Sequence, residues 1–296
     1  MKPQNDLQHK GVAVEEWVDL KFFRPIGIRI ARALQPTEVS ADQVTLWAIV
    51  TGVVAGHLFL YRDPWVNLIG FLLFVVSDIF DSADGQLARL RGTSSRLGRT
   101  LDGLGDHVRF LSLYVHLALR IGLAGWPWQG FLLATVAMLS HALQSMAVDF
   151  VRSAYLALSG SGKDDLDLPE DLHGPAHGSL LERFAAWSYA SYVWQQARLF
   201  PRTVDLARSL RRVRVTNAFH AQYRERQQPL LPICAWLGQN IRFALLGLAG
   251  VAGYPSAYLW TEVLAMNFVL FVILVPTHEA NSSALVSSLG GEARAY

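Results

Sequence analysis

The stretch VTLWAIVTGVVAGHLFLY, residues 44–61, decides the fold class because it contains no charged side chain over its whole length. A helix of this length, extended by its flanks, crosses the hydrocarbon core of a bilayer. Further apolar runs that could form spans lie at 65–90, 101–123, 126–158, 230–254 and 257–275. The sequence therefore predicts an all-α integral membrane protein with a bundle of six transmembrane helices.

The composition agrees with a membrane protein. Charged residues make up 17% of the 296-residue chain, against about 25% in ordinary soluble domains. Apolar residues make up 52%, and the mean hydropathy is +0.25. The single cysteine, Cys234, excludes an internal disulfide and a cysteine-based metal site. The formal net charge of +2 is too small to indicate a nucleic-acid-binding protein, so no nucleic acid is expected as a partner.

Basic residues indicate how the predicted helices are oriented. Four arginines crowd the turn between the second and third spans, and nine more lie in residues 159–229. The short turns at 62–64 and 125–128 have almost none. Because loops rich in Lys and Arg stay in the cytoplasm, six crossings place both termini and the arginine-rich end of the bundle on the cytoplasmic side.

The chain divides into three predicted parts: an N-terminal cytoplasmic and interfacial segment at 1–43, a membrane domain at 44–275 and a polar C-terminal tail at 276–296. Apolar and basic residues interleave over 17–34, which is typical of a helix lying on a membrane surface; a solvated linker is the alternative. Residues 159–229 form a predicted cytoplasmic helical insertion between helices four and five. It is basic enough to rest on anionic lipid, or it binds a partner.

Two neighbouring predicted helices each carry one stripe of acidic and small residues. Helical spacing places on one face of the second span Asp81, Asp84, Gly85, Ala88 and Arg89. The same spacing places on one face of the third span Gly98, Asp102, Gly105, Asp106 and Arg109. Because a short turn makes these helices antiparallel neighbours, we expect the two faces to meet.

Four carboxylates at one end of a bundle repel one another unless cations neutralise them. With oxygen ligands only, hard divalent cations such as magnesium, manganese or calcium are favoured over zinc. Carboxylate pairs on opposed helices could hold two ions, the arrangement that stabilises the attacking and leaving oxygens in phosphoryl transfer. The small residues would leave a slot for a ligand, and Arg89 could bind a diphosphate. The alternative role of the small residues is close helix packing.

The pattern D-x2-D-G-x2-A-R-x8-G-x3-D-x3-D is filled at every fixed position between 81 and 106. It resembles the signature of the CDP-alcohol phosphotransferase (phosphatidyltransferase) family. Residues 41–45 also resemble the start of the family's first helix, although Ala41-Asp42 replaces the usual Pro-Asn pair. The resemblance implies a helical membrane enzyme, commonly a homodimer. Such an enzyme transfers a substituted phosphoryl group from a CDP-linked donor to an alcohol and releases CMP.

Carried onto this chain, the resemblance implies roles for individual residues. Two divalent cations, magnesium or manganese, would be bound by Asp81, Asp84, Asp102 and Asp106. Asp106 would also be the catalytic base that accepts the proton of the incoming hydroxyl group. The nucleotide pocket would be lined by Gly85, Ala88, Arg89 and Gly98.

Ionisable residues inside apolar helices are candidates for binding the acceptor alcohol. They are Arg109, Asp149, Arg152 and Arg242. Each could instead be half of a buried salt bridge, and Asp149 with Arg152 at i, i+3 is the obvious pair.

The predicted function is transfer of a phosphatidyl group from a CDP-linked donor, with CDP-diacylglycerol favoured by the membrane setting, to a small polar alcohol in phospholipid synthesis. A CDP-linked head group passed to a lipid alcohol would use the same residues. An intramembrane prenyltransferase is a second alternative, although its two acidic motifs lie farther apart. A divalent-cation transporter is the alternative from another class, although its acids are expected near the bilayer midplane.

Overall fold

The computed structural model describes residues 13–93, 96–161, 166–172, 179–213 and 215–292, without the side chains of 96–104, 180–182, 185 and 289–292. Within these residues every regular element is helical, as the sequence predicts. The α-helices are α1 Arg24–Leu34, α2 Ala41–Leu58, α3 Pro64–Arg91, α4 Arg96–Gly122, α5 Pro127–Leu158, α6 Leu180–Leu199, α7 Pro201–Leu210, α8 Asn217–Gln227, α9 Leu231–Trp236, α10 Gln239–Val251, α11 Pro255–Trp260 and α12 Val275–Glu292. Short π-helical segments are Asp19–Phe23, Thr261–Met266 and Val269–Leu274, and short 3-10 segments are Pro169–Asp171 and Gln228–Leu230.

The chain folds into two compact units. The first comprises Met1–His141 and Gln239–Val263, and the second comprises Ala142–Gly238 and Leu264–Tyr296. Helices α1 to α4, α10 and α11 lie in the first unit, which therefore holds both acidic stripes of the sequence. The domain boundaries drawn from the sequence stay predictions.

Four helical stretches in the described part of the chain are long and apolar enough to cross a membrane. They are Pro64–Arg91, Pro127–Leu158, Asn217–Val251 and Pro255–Ser288. They correspond to the second, fourth, fifth and sixth predicted spans. The first and third are helical as α2 and α4, but polar residues such as Asp42 and His57 dilute the apolar character of α2. The count of six crossings is therefore not confirmed.

Local signals that the apolar pattern does not show set several helix ends. Helix α2 begins at Ala41 rather than at residue 44, because Ser40 and Gln43 form a capping box. The Ser40 Oγ accepts from the Gln43 N–H at 3.2 Å, and the Ser40 N–H donates to the Gln43 Oε1 at 2.8 Å. Helix α3 ends at Arg91, because the following Gly92 has a φ of 66°, the left-handed conformation that glycine adopts readily.

The fifth predicted span, 230–254, is one helix in the sequence pattern and two in the structure. Helix α9 ends at Trp236, and α10 begins at Gln239 after a turn at Leu237 and Gly238. The N–H groups of those two residues donate to carbonyls three residues back, at 3.1 and 3.0 Å. A glycine in the turn lowers the cost of leaving the helix, which a count of apolar residues cannot detect.

The surface helices predicted from the sequence are also present as helices. In α1 one face, with Ile28 and Ala31, is buried, and the helix packs on α3. Helix α6 exposes large aromatic side chains, among them Phe184, Trp187 and Trp194. The amphipathic α1 suits a membrane surface, and the exposed aromatic residues of α6 suit the lipid contact proposed for the insertion; both locations stay predictions.

Helix α2 is the centre of the first unit and packs against both α3 and α4. An arginine from a neighbouring helix holds each of its ends. Arg91 of α3 donates to the carbonyls before α2, at 2.6 Å to Leu34 and 2.6 Å to Val39. Arg120 of α4 donates to the carbonyls after α2, at 3.2 Å to Phe59 and 2.7 Å to Tyr61. These charge-assisted bonds satisfy backbone acceptors that no helix ladder reaches.

Replacing Arg120 should destabilise the first unit. Arg120 is buried and also donates to the Asn67 Oδ1 at 3.0 Å, so Arg120→Met removes the arginine donor of the Phe59 carbonyl and of the Asn67 side chain, while the Tyr61 carbonyl keeps the Asn67 Nδ2. We expect a loss of about 2 kcal/mol in the free energy of unfolding, in the range for hydrogen bonds to charged groups. Thermal unfolding in a fixed detergent measures it. Arg62→Met, at an exposed arginine of the nearby loop, is the control. Equal melting temperatures for Arg120→Met and wild type would contradict a stabilising role of the Arg120 hydrogen bonds.

Candidate functional site

The buried guanidinium of Arg109 connects the two acidic helices. Arg109 of α4 is 3% exposed. Its Nη2 donates to the Oδ1 of Asp81 on α3 at 3.1 Å and to the Oδ1 of Asp106 on its own helix. Within the described side chains, the two predicted stripes therefore meet at Asp81 and Asp106, and the cation between these acids is an arginine of the protein.

The acidic residues differ in exposure. The side chain of Asp106 is 46% exposed and that of Asp81 is 35% exposed, so both can be reached from outside the helix bundle. Asp84 is only 5% exposed. Its Oδ2 accepts from the Thr45 Oγ1 of α2 at 2.5 Å, which gives this buried carboxylate a donor. Asp84 thus faces α2, whereas Asp81 and Asp106 line the open side of the site.

Residues outside the sequence signature surround the Arg109 side chain. Its Nη1 donates to the Ser77 Oγ at 2.9 Å and to the Asp78 Oδ1 at 3.2 Å. The Gln239 Nε2 of α10 donates to the same Asp78 oxygen at 2.7 Å. Gly52 of α2 lies against the aliphatic stem of Arg109, where an added Cβ would be 2.5 Å from the Arg109 Cδ. We call Gly52, Ser77, Asp78 and Gln239 the Arg109 cradle.

The residues predicted to bind a nucleotide form a partly exposed strip on α3. Gly85, Ala88 and Arg89 are all of intermediate exposure, whereas Ala83 and Leu87 of the same helix are fully buried. A Cβ added at Gly85 would have the Arg89 Nη1, at 3.4 Å, as its nearest neighbour. The absence of a side chain there leaves space beside a guanidinium. Gly98 lies in the first turns of α4, and its surroundings are outside the described side chains.

The donor set of the site suits a hard divalent cation, because its ligands are carboxylate oxygens alone. Among the side chains that the structure describes, no group of three or more His, Cys, Asp or Glu is arranged to hold a metal ion. Asp102, the remaining acid of the signature, lies in α4 outside the described side chains. The two-metal site therefore stays a prediction, with Arg109 as a competing partner of Asp81 and Asp106.

Arg242 is part of a buried polar cluster in the first unit. Arg242 is 1% exposed, and its Nη1 donates to the Glu262 Oε1. The hydroxyl groups of Tyr114 and Tyr258 also donate to the Glu262 carboxylate, and His141 lies 2.9 Å from the Tyr114 oxygen. This is the buried salt bridge that the sequence left as an alternative, although with Glu262 as the partner. A role of Arg242 in acceptor binding stays a prediction.

Asp149 and Arg152 belong to the second unit, on α5. The Asp149 Oδ2 accepts from the Tyr192 hydroxyl of α6 at 2.9 Å and from the Gln196 Nε2 at 3.4 Å. Burial and then the neighbouring carboxylate raise the pKa of Tyr192, so its hydroxyl stays protonated and donates. Asp149 thus joins α5 to α6, and its predicted part in acceptor binding is untested.

Sequence reasoning did not single out the members of the Arg109 cradle. Asp78 had a detectable signal, since it lies three residues before Asp81 and extends the acidic stripe of α3 by one turn. Gly52, Ser77 and Gln239 had none, because a small residue or a glutamine in an apolar helix is compatible with many environments. Their relation to Arg109 depends on how α2, α3, α4 and α10 pack.

Comparison with known proteins gives a family match that includes the helices of the acidic site. Residues 38–163 match the model of the CDP-alcohol phosphatidyltransferase family. A curated relative is the CDP-diacylglycerol--serine O-phosphatidyltransferase of Methanocaldococcus jannaschii, which is 40% identical over 70 residues. That match covers 24% of this chain and 30% of the relative, so it spans about a third of the relative's length. The family match includes α2, α3 and α4, the helices that carry the acidic site.

Proposed function

We propose that this chain, whose residues 38–163 match the model of the CDP-alcohol phosphatidyltransferase family, transfers a phosphatidyl group from a CDP-linked donor, CDP-diacylglycerol, to a small polar alcohol. The observation that carries the proposal is the meeting of the two acidic stripes at Arg109, with Asp81 and Asp106 on the accessible side. The reaction class is transfer of a substituted phosphate group in phospholipid synthesis. The name of the relative makes serine the first acceptor to test.

In the proposed reaction the acceptor hydroxyl attacks the phosphorus distal to cytidine. A bond forms between this oxygen and the phosphorus, the bond from the phosphorus to the CMP oxygen breaks, and CMP leaves with the electron pair. Asp106 would accept the hydroxyl proton as a general base. Its side chain is half exposed, and its Oδ1 is held by Arg109, so the carboxylate is both accessible and oriented.

Two divalent cations, magnesium or manganese, are part of the proposal. Their ligands would be Asp81, Asp84, Asp102 and Asp106, which are oxygen donors of the kind these ions prefer. When bound, such ions neutralise the charge that develops on the phosphoryl and leaving oxygens. The nucleotide would lie along the strip formed by Gly85, Ala88 and Arg89, with Gly98 on the facing helix. The absence of side-chain bulk at Gly85 and the adjacent Arg89 guanidinium support this placement.

The chain is an integral membrane protein, given its apolar helices and its match to a family of membrane enzymes. We further propose that α2 and α4 also cross the bilayer, which gives six crossings, with both termini and the acidic site on the cytoplasmic side. The arginine-rich turn after α3 supports this orientation. A homodimer is likewise proposed, from the family resemblance alone.

Purified protein in lipid nanodiscs should release CMP from CDP-diacylglycerol when a matching alcohol is present. The panel of acceptors is serine, inositol, inositol phosphate and glycerol phosphate, and a CDP-linked head group with diacylglycerol is the reversed arrangement. Chromatography identifies CMP as the product of a phosphatidyltransferase. A prenyltransferase acting on a prenyl diphosphate would release pyrophosphate instead. A cation transporter would move ions into proteoliposomes without releasing CMP. Ion flux without CMP from any donor would contradict the proposal.

Asp106→Asn should lower the rate of CMP release by about 100-fold or more, in the range for loss of a general base. The amide keeps an oxygen that can accept from Arg109, so the variant is expected to fold. Asp205→Asn, at an exposed aspartate of α7 in the second unit, is the matched control and should keep the wild-type rate. A wild-type rate in Asp106→Asn would exclude Asp106 as the base.

Removing divalent cations should abolish CMP release, because four acids would then lack the ions that bind the diphosphate. Treatment with EDTA, followed by addition of magnesium, manganese, calcium or zinc to separate samples, measures the dependence. Magnesium or manganese should restore the rate, and zinc should not. A thermal unfolding curve of the chelated protein checks that it remains folded. Full activity in folded, metal-depleted protein would contradict the proposed cofactors.

A further inference from the structure

Both terminal nitrogens of the Arg109 guanidinium donate hydrogen bonds to the protein. Nη1 donates to Ser77 and Asp78, and Nη2 donates to Asp81 and Asp106. Two terminal nitrogens carry four N–H groups, so these four acceptors match the whole terminal donor capacity of the side chain. Arg109 therefore acts on the protein's own carboxylates in this arrangement, which differs from the acceptor-binding role that its position in the sequence indicated.

The cradle fixes Arg109 from three neighbouring helices. Ser77 of α3 donates from its Oγ to the Ala48 carbonyl of α2 at 2.7 Å, so the oxygen that accepts from Arg109 is itself tied to a second helix. Gln239 of α10 holds the Asp78 oxygen that faces Arg109. The stem of Arg109 passes over Gly52 of α2, where no side chain larger than hydrogen fits without a shift.

We propose that Asp78 and Gly52 are positioning residues for the phosphatidyl transfer, because they hold the Arg109 guanidinium where it orients the carboxylates of Asp81 and Asp106. Neither residue belongs to the sequence signature, and neither touches the open side of the site. A shift of Arg109 would move the base and a proposed metal ligand together. A misplacement of about 1 Å in a catalytic group can cost about 100-fold in rate.

This inference rests on the proposed function, and two variants of different chemistry test it. Asp78→Asn keeps an oxygen acceptor but removes the charge that holds the guanidinium. Gly52→Ala removes no polar group, but its Cβ would lie 2.5 Å from the Arg109 Cδ and 2.6 Å from the Cγ, so the stem must move. Both should lower the kcat of CMP release at least about tenfold. The milder Gln239→Leu keeps every charge and should lower kcat less.

The split between kcat and KM separates positioning from substrate binding. The KM for the acceptor should change less than about threefold, since the altered contacts are within the protein. Gly247→Ala is the matched control, because its Cβ would be 2.7 Å from the Phe71 ring and no atom of the cradle is among its nearest contacts. A raised KM with an unchanged kcat would overturn the proposal, and so would equal kcat values for Gly52→Ala and Gly247→Ala.

A double variant tests whether Asp78 acts through Arg109. If it does, Asp78→Asn combined with Arg109→Gln should be no slower than Arg109→Gln alone, whereas multiplying losses would overturn the proposal. The same cycle measured by thermal unfolding should show non-additive effects, and additive effects would show that the contact is absent. This second cycle needs no turnover. A wild-type protein that releases no CMP would overturn the proposed function. The unfolding measurements would then still test whether Asp78 and Arg109 are coupled.

Discussion

A charge inside an apolar helix bundle needs an opposite charge close by. The arrangement of α3 and α4 depends on this constraint, because Arg109 pairs with carboxylates of both helices. Arg109 carries its charge into a position that is 3% exposed, where an unpaired guanidinium or carboxylate would cost several kcal/mol. Acids from two turns of α3 and one turn of α4 share it. The relative placement of α3 and α4 therefore follows from these ion pairs as well as from apolar packing.

Arginines also hold α2, through backbone carbonyls rather than through carboxylates. The accepting carbonyls lie in the turns before and after α2, outside its own hydrogen-bond ladder. Arg91 and Arg120 supply donors from the two helices that flank α2. With both ends fixed, Thr45 and Gly52 of α2 reach Asp84 and Arg109 at defined positions. The hydrogen bonds that hold α2 lie outside the sequence signature and nevertheless help to position the candidate site.

Two roles for Arg109 are chemically reasonable, and the hydrogen bonds favour one of them. An arginine on the face of Asp106 could bind an anionic acceptor, which its position in the sequence suggested. The structure directs its terminal N–H groups to protein oxygens instead, and Arg242 is likewise bound to Glu262. Internal pairing therefore accounts for the burial of both Arg109 and Arg242.

The sequence by itself determined that the chain is helical and that Asp81 and Asp84 share one face of α3, because residues three and four apart on one helix are neighbours whatever surrounds it. It also provided the signature that the family match confirms over 38–163. Only the tertiary structure decided which cation lies between the acids, which donor reaches Asp84, and why Gly52 lacks a side chain. Gln239 and Asp78 are 161 residues apart in the chain, and the break before α10 that places Gln239 is invisible to apolar periodicity. Contacts of this kind depend on how whole helices pack, and the pattern along one helix holds no information about its neighbours.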